Sequence, residues 1–219
     1  MAWSAERGRL GLIVPAGSSR EAMRRRALMM PLSLFEGEVD FRPNTELFNI
    51  KDIRPLTVLS SISASPSKSI VAMFVAEVLE KVLRDSPPDE ILSEFIFRSI
   101  ELLDGLSSRG VANFPVVFLC RLGALMGIEP DASEWNPGKI FDMIEGVYRT
   151  SAPAHRRWLS PEETNVANIV QRLTFASGCR LSIPRKVRRE ILDRILEYFT
   201  IHLAPLDSLK TLSVLRDLL

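Results

Sequence analysis

The run Leu47-Phe48-Asn49-Ile50-Lys51-Asp52-Ile53-Arg54-Pro55 and the one that starts at Ser65-Pro66-Ser67-Lys68-Ser69-Ile70-Val71-Ala72-Met73-Phe74-Val75 decide the fold between them. The first is a short apolar-rich run closed by Arg54-Pro55, which reads as a strand. The second places Ile70, Phe74, Val78 and Val82 on one stripe and Glu77, Glu80, Lys81 and Arg84 on the opposite face, an amphipathic helix opened by Ser65-Pro66. The hydrophobic period therefore changes near residue 56. Upstream, Leu10 to Val14 ends at Pro15-Ala16-Gly17 and Leu32 to Phe41 ends at Arg42-Pro43-Asn44, two more strands, the second pairing with Leu47 to Ile53 as a hairpin. The reading is an α+β chain, with a strand domain over 1–56 and a helical domain over 57–219.

Downstream of the first helix, a second starts at Pro87-Pro88-Asp89 and stops at Gly105. A third, Val111 to Gly127, is apolar almost all round, which predicts the buried centre of a bundle. From Gly127 to Trp158 the pattern breaks around Pro130, Asp131 and Asn136-Pro137-Gly138, and Phe141 to Tyr148 reads as a small hairpin set in a loop. Ser160-Pro161-Glu162-Glu163 is a capping box, with Ser at the N-cap, Pro at the first helical position and Glu at the third. A long helix from Pro184 to Leu203 and a short one from Ser208 to Leu219 complete the chain.

The 219 residues are 46% hydrophobic and 25% charged, which fits a soluble globular protein and excludes disordered, collagen-like and disulfide-scaffold classes. Cys120, Cys179, His155 and His202 are too few and too far apart to suggest a metal site or a disulfide framework, and no cofactor is called for. The longest apolar stretch, Val111 to Cys120, is well short of the roughly 18 residues that a membrane span needs. The first residues, with Glu6, Arg7 and Arg9, lack the pattern of a signal peptide, and a reducing cytosol fits. A net charge of +1 conceals two basic ends around an acidic middle: +2 over 1–56, −4 over 57–179 and +3 over 180–219. The basic residues concentrate in Arg7, Arg9, Arg20, Arg24, Arg25 and Arg26, and again in Arg180, Arg185, Lys186, Arg188 and Arg189, an asymmetry that can mark a polyanion partner.

Ser65-Pro66-Ser67-Lys68 matches the Ser-x-x-Lys pattern of penicillin-recognising enzymes, but no Ser-Asp-Asn or Lys-Thr-Gly follows, and a helix cap needs the same residue types. His155 with Asp142 or Glu145 lacks a glycine-framed nucleophile and is read as an exposed loop histidine; His202 closes the long helix, where a cation suits the dipole. The Gly-rich phosphate cradles of nucleotide enzymes are absent from the sequence. Trp3, Phe35, Phe41 and Phe48, interleaved with arginines, supply what a single-strand site needs, cations for phosphates and rings for bases; the bland alternative is rings in a sheet core and solvated arginines.

The chain also resembles the bacterial RecO family of DNA repair proteins, in its Bacteroidetes-type sequences. The matching stretches are Phe48-Asn49-Ile50-Lys51-Asp52-Ile53-Arg54, Met73-Phe74-Val75-Ala76-Glu77-Val78-Leu79 and Ala112-Asn113-Phe114 leading to Phe118-Leu119-Cys120-Arg121-Leu122. After them come Gly127-Ile128-Glu129-Pro130, Phe141-Asp142, Trp158-Leu159-Ser160-Pro161-Glu162-Glu163, Ile195 to Leu203, and Leu209-Lys210-Thr211-Leu212. The resemblance implies an N-terminal OB-fold joined to a helical domain, without a catalytic site, in a cytoplasmic, nucleoid-associated recombination mediator. Such a protein binds and anneals single-stranded DNA, binds double-stranded DNA, contacts the C-terminal tail of the single-stranded-DNA-binding protein and, with RecR, promotes RecA loading. Many members hold zinc through cysteines in the loop of the helical domain; residues 127–158 here contain no cysteine, so zinc is not expected.

Three strands fall two short of a five-stranded OB barrel, so the first strands are expected to be missing and the sheet to keep an open edge. The DNA-binding candidates are Arg7, Arg9, Arg20, Arg24, Arg25 and Arg26 on the strands, and Arg185, Lys186, Arg188 and Arg189 on the long helix. The rival readings are a helical protein-interaction module that does not bind DNA and a hydrolase using Ser65 and Lys68.

Overall fold

The computed structural model, which describes residues 1–14, 17–42 and 44–218, carries the expected change from strands to helices. The turns expected at Pro15-Ala16 and at Pro43, and the last residue of the final helix, Leu219, lie outside the described residues. The N-terminal sheet has four strands, β1 (Ala2–Ser4), β2 (Gly8–Ile13), β3 (Phe35–Val39) and β4 (Leu47–Pro55), in the order β1-β2-β4-β3. The expectation of three strands is thus corrected by β1, a three-residue strand too short to show a period. It is antiparallel to β2, and Gly8, at φ 69°, enters the left-handed region at the turn between them, where a side chain would be strained.

β3 and β4 form the expected antiparallel hairpin, with a bulge between Glu36 and Glu38 and Asp52 at φ 48° opposite it. β2 runs parallel to β4, Gly11 facing Leu47, and a parallel pair cannot be joined by a tight turn. The crossover is where the sequence reading missed a helix: α1 (Arg20–Ala27) occupies it, its first turn capped by Ser19, whose hydroxyl accepts from the amide of Ala22 at 3.1 Å.

Three further helices complete a first compact unit, Met1–Gly105: α2 (Ser60–Ala64), α3 (Pro66–Val82) and α4 (Glu90–Gly105). α3 buries Phe74, Val78 and Val82 of the expected stripe, leaves Ile70 half-buried, and widens the buried face with Val71 and Val75. Asp89 caps α4 by accepting from Leu92 N at 2.8 Å. The sheet is anchored on these helices: Trp3 Nε1 donates to Ser93 Oγ at 3.0 Å, and a Cβ on Gly8 would meet Ser86 O at 3.4 Å.

The second unit, Leu106–Leu219, is built on α5 (Ser108–Leu125), the most buried helix, with Pro115 inside it. Against it lie α6 (Pro161–Gln171), the four-residue α7 (Phe175–Gly178) and α8 (Arg185–His202), followed by α9 (Leu212–Leu218). Close approach needs small residues: a Cβ on Gly178 would lie 2.5 Å from Val117 Cγ2, and one on Gly123 would lie 3.3 Å from Phe199. Two polar residues of α5, Asn113 and Arg121, tie down the segment at and after the end of α6. Buried Asn113 donates to the carbonyls of Gly178 and Leu181, and Arg121 donates to those of Gln171 and Leu173. The hairpin expected between Gly127 and Trp158 is present as β5 (Ile140–Asp142) and β6 (Val147–Arg149), and β7 (Trp158–Leu159) adds a third strand to it. The capping box of α6 forms as read, Ser160 Oγ accepting from Glu163 N and Glu163 accepting from Ser160 N.

Candidate nucleic-acid interface

The densest basic element is α1. Arg20, Arg24 and Arg26 are exposed, Arg25 is half-buried, and Arg24, Arg25 and Arg26 fill the last turn, where positive charge complements the helix dipole. This corrects the placement of these four arginines on strands. The signal for a helix was present in the cap residue Ser19 and the basic last turn, but the exposed Met23 and Met30 leave no apolar stripe to reveal a helical period. Ala22 of this helix is buried, at 2% exposed.

Arg7 and Arg9 lie at the β1-β2 hairpin, Arg9 opposite Trp3 in the register. The guanidinium of Arg7 sits over the ring of Phe41, 4.0 Å from its centroid, and Phe41 meets Phe48 edge-on at 5.0 Å. Of the four rings named from the sequence, Phe41 is exposed, while Trp3, Phe35 and Phe48 are half-buried.

The second basic cluster is differently employed. Arg185 and Arg189 donate to the carbonyls of Asp217 and Arg216 in α9, and Arg188 donates to Asn113 Oδ1 at 3.1 Å and to Ile183 O at 3.0 Å. Burial, then the neighbouring charges of Arg185 and Arg189, lower the pKa of Arg188 from the usual arginine value. Lys186 is exposed, as is Arg185, and lies 3.9 Å from Glu190 one turn on. These cations hold α8 to its surroundings, a role that sequence spacing cannot separate from phosphate binding.

The chemical motifs take structural parts. Lys68, buried, donates to Ser61 Oγ at 2.7 Å and to the carbonyl of Asp104 at the end of α4, while Ser65 Oγ lies against Ser67 Oγ at 3.0 Å. Ser65 stands at the N-cap of α3 without a side-chain capping bond, which corrects its reading as a cap. His155 is not a free loop residue, for its Nε2 lies 3.3 Å from Asp142 Oδ1. Asp142 is 1% exposed and accepts from the amides of Ile144 and Glu145 and from Arg149 Nε. His202 Nε2 lies 2.8 Å from the carbonyl of Met143. Both histidines of the chain therefore bear on the β5 hairpin.

The second unit also holds an apolar groove of about 340 Å³, unannounced by any sequence motif. Leu119 and Gly123 of α5 and Phe199 of α8 form its floor, Val166 of α6 and Ile191 and Ile195 of α8 its walls. The ion pair of Arg194 with Glu163, 2.9 Å, bridges α6 and α8 at one end. Val187 and Gln171 also line the groove, so the exposed Lys186 and Arg172 follow directly beside it in sequence.

No helix among the described residues is long and apolar enough to cross a membrane, and no group of three or more metal-ligating side chains is found among them. A family model for the C-terminal part of recombination protein O matches residues 64–212, a span that runs from α3 to the start of α9. The chain is 31% identical to the DNA repair protein RecO of Phocaeicola vulgatus over 99% of its own length and 89% of that protein's. To the DNA repair protein RecO of Bacteroides fragilis it is 32% identical over 96% and 87%, and to that of Porphyromonas gingivalis 30% over 99% and 89%. The family match over 64–212 and near full-length relatives at this identity agree: the chain belongs to the RecO family of DNA repair and recombination proteins.

Proposed function

We propose that this protein is a recombination mediator of the cytoplasm and nucleoid. In this reading it binds single- and double-stranded DNA, anneals complementary strands, contacts the C-terminal tail of the single-stranded-DNA-binding protein and, with RecR, promotes RecA loading. No catalytic step belongs to it. The observation that carries DNA binding is α1, which puts Arg20, Arg24, Arg25 and Arg26 on eight residues. Phosphates are held there by charge, and the release of counterions makes the affinity fall as salt rises. Each phosphate contact on a single strand contributes about 0.7 to the slope of log affinity against log salt, so replacing the three exposed arginines, Arg20, Arg24 and Arg26, by serine is expected to reduce the slope by roughly 2. Fluorescence anisotropy of a labelled oligonucleotide over a salt series measures it. A wild-type affinity indifferent to salt overturns the reading.

The partner tail is assigned to the groove of the second unit. Its apolar end is expected to contact Val166 and Ile191, and its carboxylates to meet Lys186 and Arg172, with Lys186 exchanging its pairing with Glu190, which also lines the groove. A labelled acidic peptide with an apolar end is expected to bind the wild type and to lose at least tenfold in affinity with Ile191→Glu, about 1.4 kcal/mol. DNA affinity is expected to be unchanged in that variant. Peptide binding with no DNA binding favours instead a protein-interaction module.

A further inference from the structure

We propose that the Arg7 guanidinium, held over the ring of Phe41, is a stacking surface for a base of single-stranded DNA, so that this pair distinguishes single strands from duplex. The inference rests on the DNA-binding reading above. Arg7 lies in the turn between β1 and β2 and is exposed; Phe41 follows β3 and is 40% exposed, a high value for a phenylalanine ring. Phe41 is not a loose ring. Phe48, on β4 and half-buried, supports it edge-on at 5.0 Å with the planes at 60°. The support passes from the sheet to Phe48, from Phe48 to Phe41 and from Phe41 to the guanidinium.

A guanidinium 4.0 Å above a ring and exposed to solvent offers a flat cation on which a nucleobase can stack. Its N–H edge remains available to the phosphate of the same nucleotide. Neighbouring groups are otherwise engaged: Arg42, next in sequence to Phe41, pairs with Asp40 at 3.1 Å, and the indole N–H of Trp3 is bonded to Ser93. A base in a duplex is already stacked on both faces and cannot reach the site. A base in a single strand can, and stacking does not depend on which base it is. The arginines of α1 see phosphates, which both forms of DNA carry; the Arg7 and Phe41 pair sees a base plane, which only the single strand offers.

The test uses the full chain and three labelled probes: an oligothymidine of about twenty nucleotides, an abasic strand of the same length and a hairpin duplex of equal phosphate number, a length that covers one OB-type site. The wild type is expected to prefer the oligothymidine to the abasic strand. Phe41→Leu and Arg7→Lys are each expected to lower oligothymidine affinity by about fivefold to a hundredfold, the range of one lost base stack. Duplex and abasic affinities should stay within about twofold in Arg7→Lys, since the charge is kept. Phe41→Tyr, which keeps the ring, should restore binding. Arg7 is exposed in a turn, so Arg7→Lys remains a test even if Phe41→Leu fails to fold. Equal losses on all three probes, or a wild type that does not separate oligothymidine from abasic strand, overturn the inference while leaving charge-driven binding intact. A wild type that binds none of the probes at low salt overturns both.

Discussion

Replacing Asp142 tests how the β5 hairpin is held. Its carboxylate, 1% exposed, accepts from Ile144 N at 3.0 Å, Glu145 N at 3.2 Å and Arg149 Nε at 2.8 Å, and lies 3.3 Å from His155 Nε2. Breaking a buried charge pair costs about 3–5 kcal/mol. The side chains of Arg149 and His155 are 44% and 32% exposed and regain water when freed, so the lower end applies. Asp142→Ala is expected to cost about 3 kcal/mol, and Asp142→Asn, which keeps an acceptor for the two amides, about half of that. For a chain of this size 1 kcal/mol is roughly 2–4 °C, so the alanine variant should melt about 6–12 °C lower at pH 7. Burial alone would raise the Asp142 pKa; the amide of Glu145, Arg149, the amide of Ile144 and the charge of His155 together outweigh it, and the pKa is lowered. The carboxylate's stabilisation is therefore complete above the unfolded value of about 3.9 and is lost as pH falls through the lower folded value. Circular-dichroism melts of wild type and Asp142→Asn should differ at pH 7 and converge in acid. Equal melting temperatures at pH 7, or a gap that widens in acid, would refute the argument.

Gly178→Ala puts a methyl 2.5 Å from Val117 Cγ2, and α7 must shift off α5; urea denaturation should show a loss of about 1–3 kcal/mol, partly recovered by adding Val117→Ala. Lys68→Met keeps the aliphatic stem and removes the bonds to Ser61 Oγ and the Asp104 carbonyl; about 1–3 kcal/mol should be lost, and a gain would mean that burying the ammonium is a net cost. Burial pushes the Cys120 thiol up to about 12 and the Cys179 thiol up to about 11, so both should react slowly with Ellman's reagent at pH 8 in the folded protein and fast once it is unfolded.

What could be read in the sequence follows the range of the forces involved. The stripe positions Phe74, Val78 and Val82, the helix start at Pro87-Pro88-Asp89 and the capping box at Ser160 rest on residues three or four apart, and they form as read. The run Val111 to Cys120 is apolar almost all round, Asn113 apart, and α5 is the most buried helix for that reason. Elements too short to hold a period were missed. β1 and β7 have three and two residues, and they exist because β2 and β5 offer them an edge to pair with. α1 was missed because its exposed Met23 and its arginines hide the helical period, and because the parallel pairing of β2 with β4, which calls for a crossover there, is a contact between distant residues.

The candidate site divides along the same line. By itself the sequence determined that arginines crowd both ends of the chain, that Phe41 and Phe48 accompany the first group, and that Gly-rich phosphate cradles are absent. Only the tertiary structure decided what each arginine does, because a guanidinium binds a carbonyl as readily as it binds a phosphate and the choice depends on what the fold brings within 3 Å or so. It spends Arg185, Arg188 and Arg189 on Asp217, Asn113, Ile183 and Arg216, residues far from them in sequence or across a turn. It leaves Arg20, Arg24 and Arg26 exposed on α1, and it brings Arg7 over Phe41 across thirty-four positions of chain, a juxtaposition that pairing of β2 and β3 with β4 makes and local sequence cannot encode.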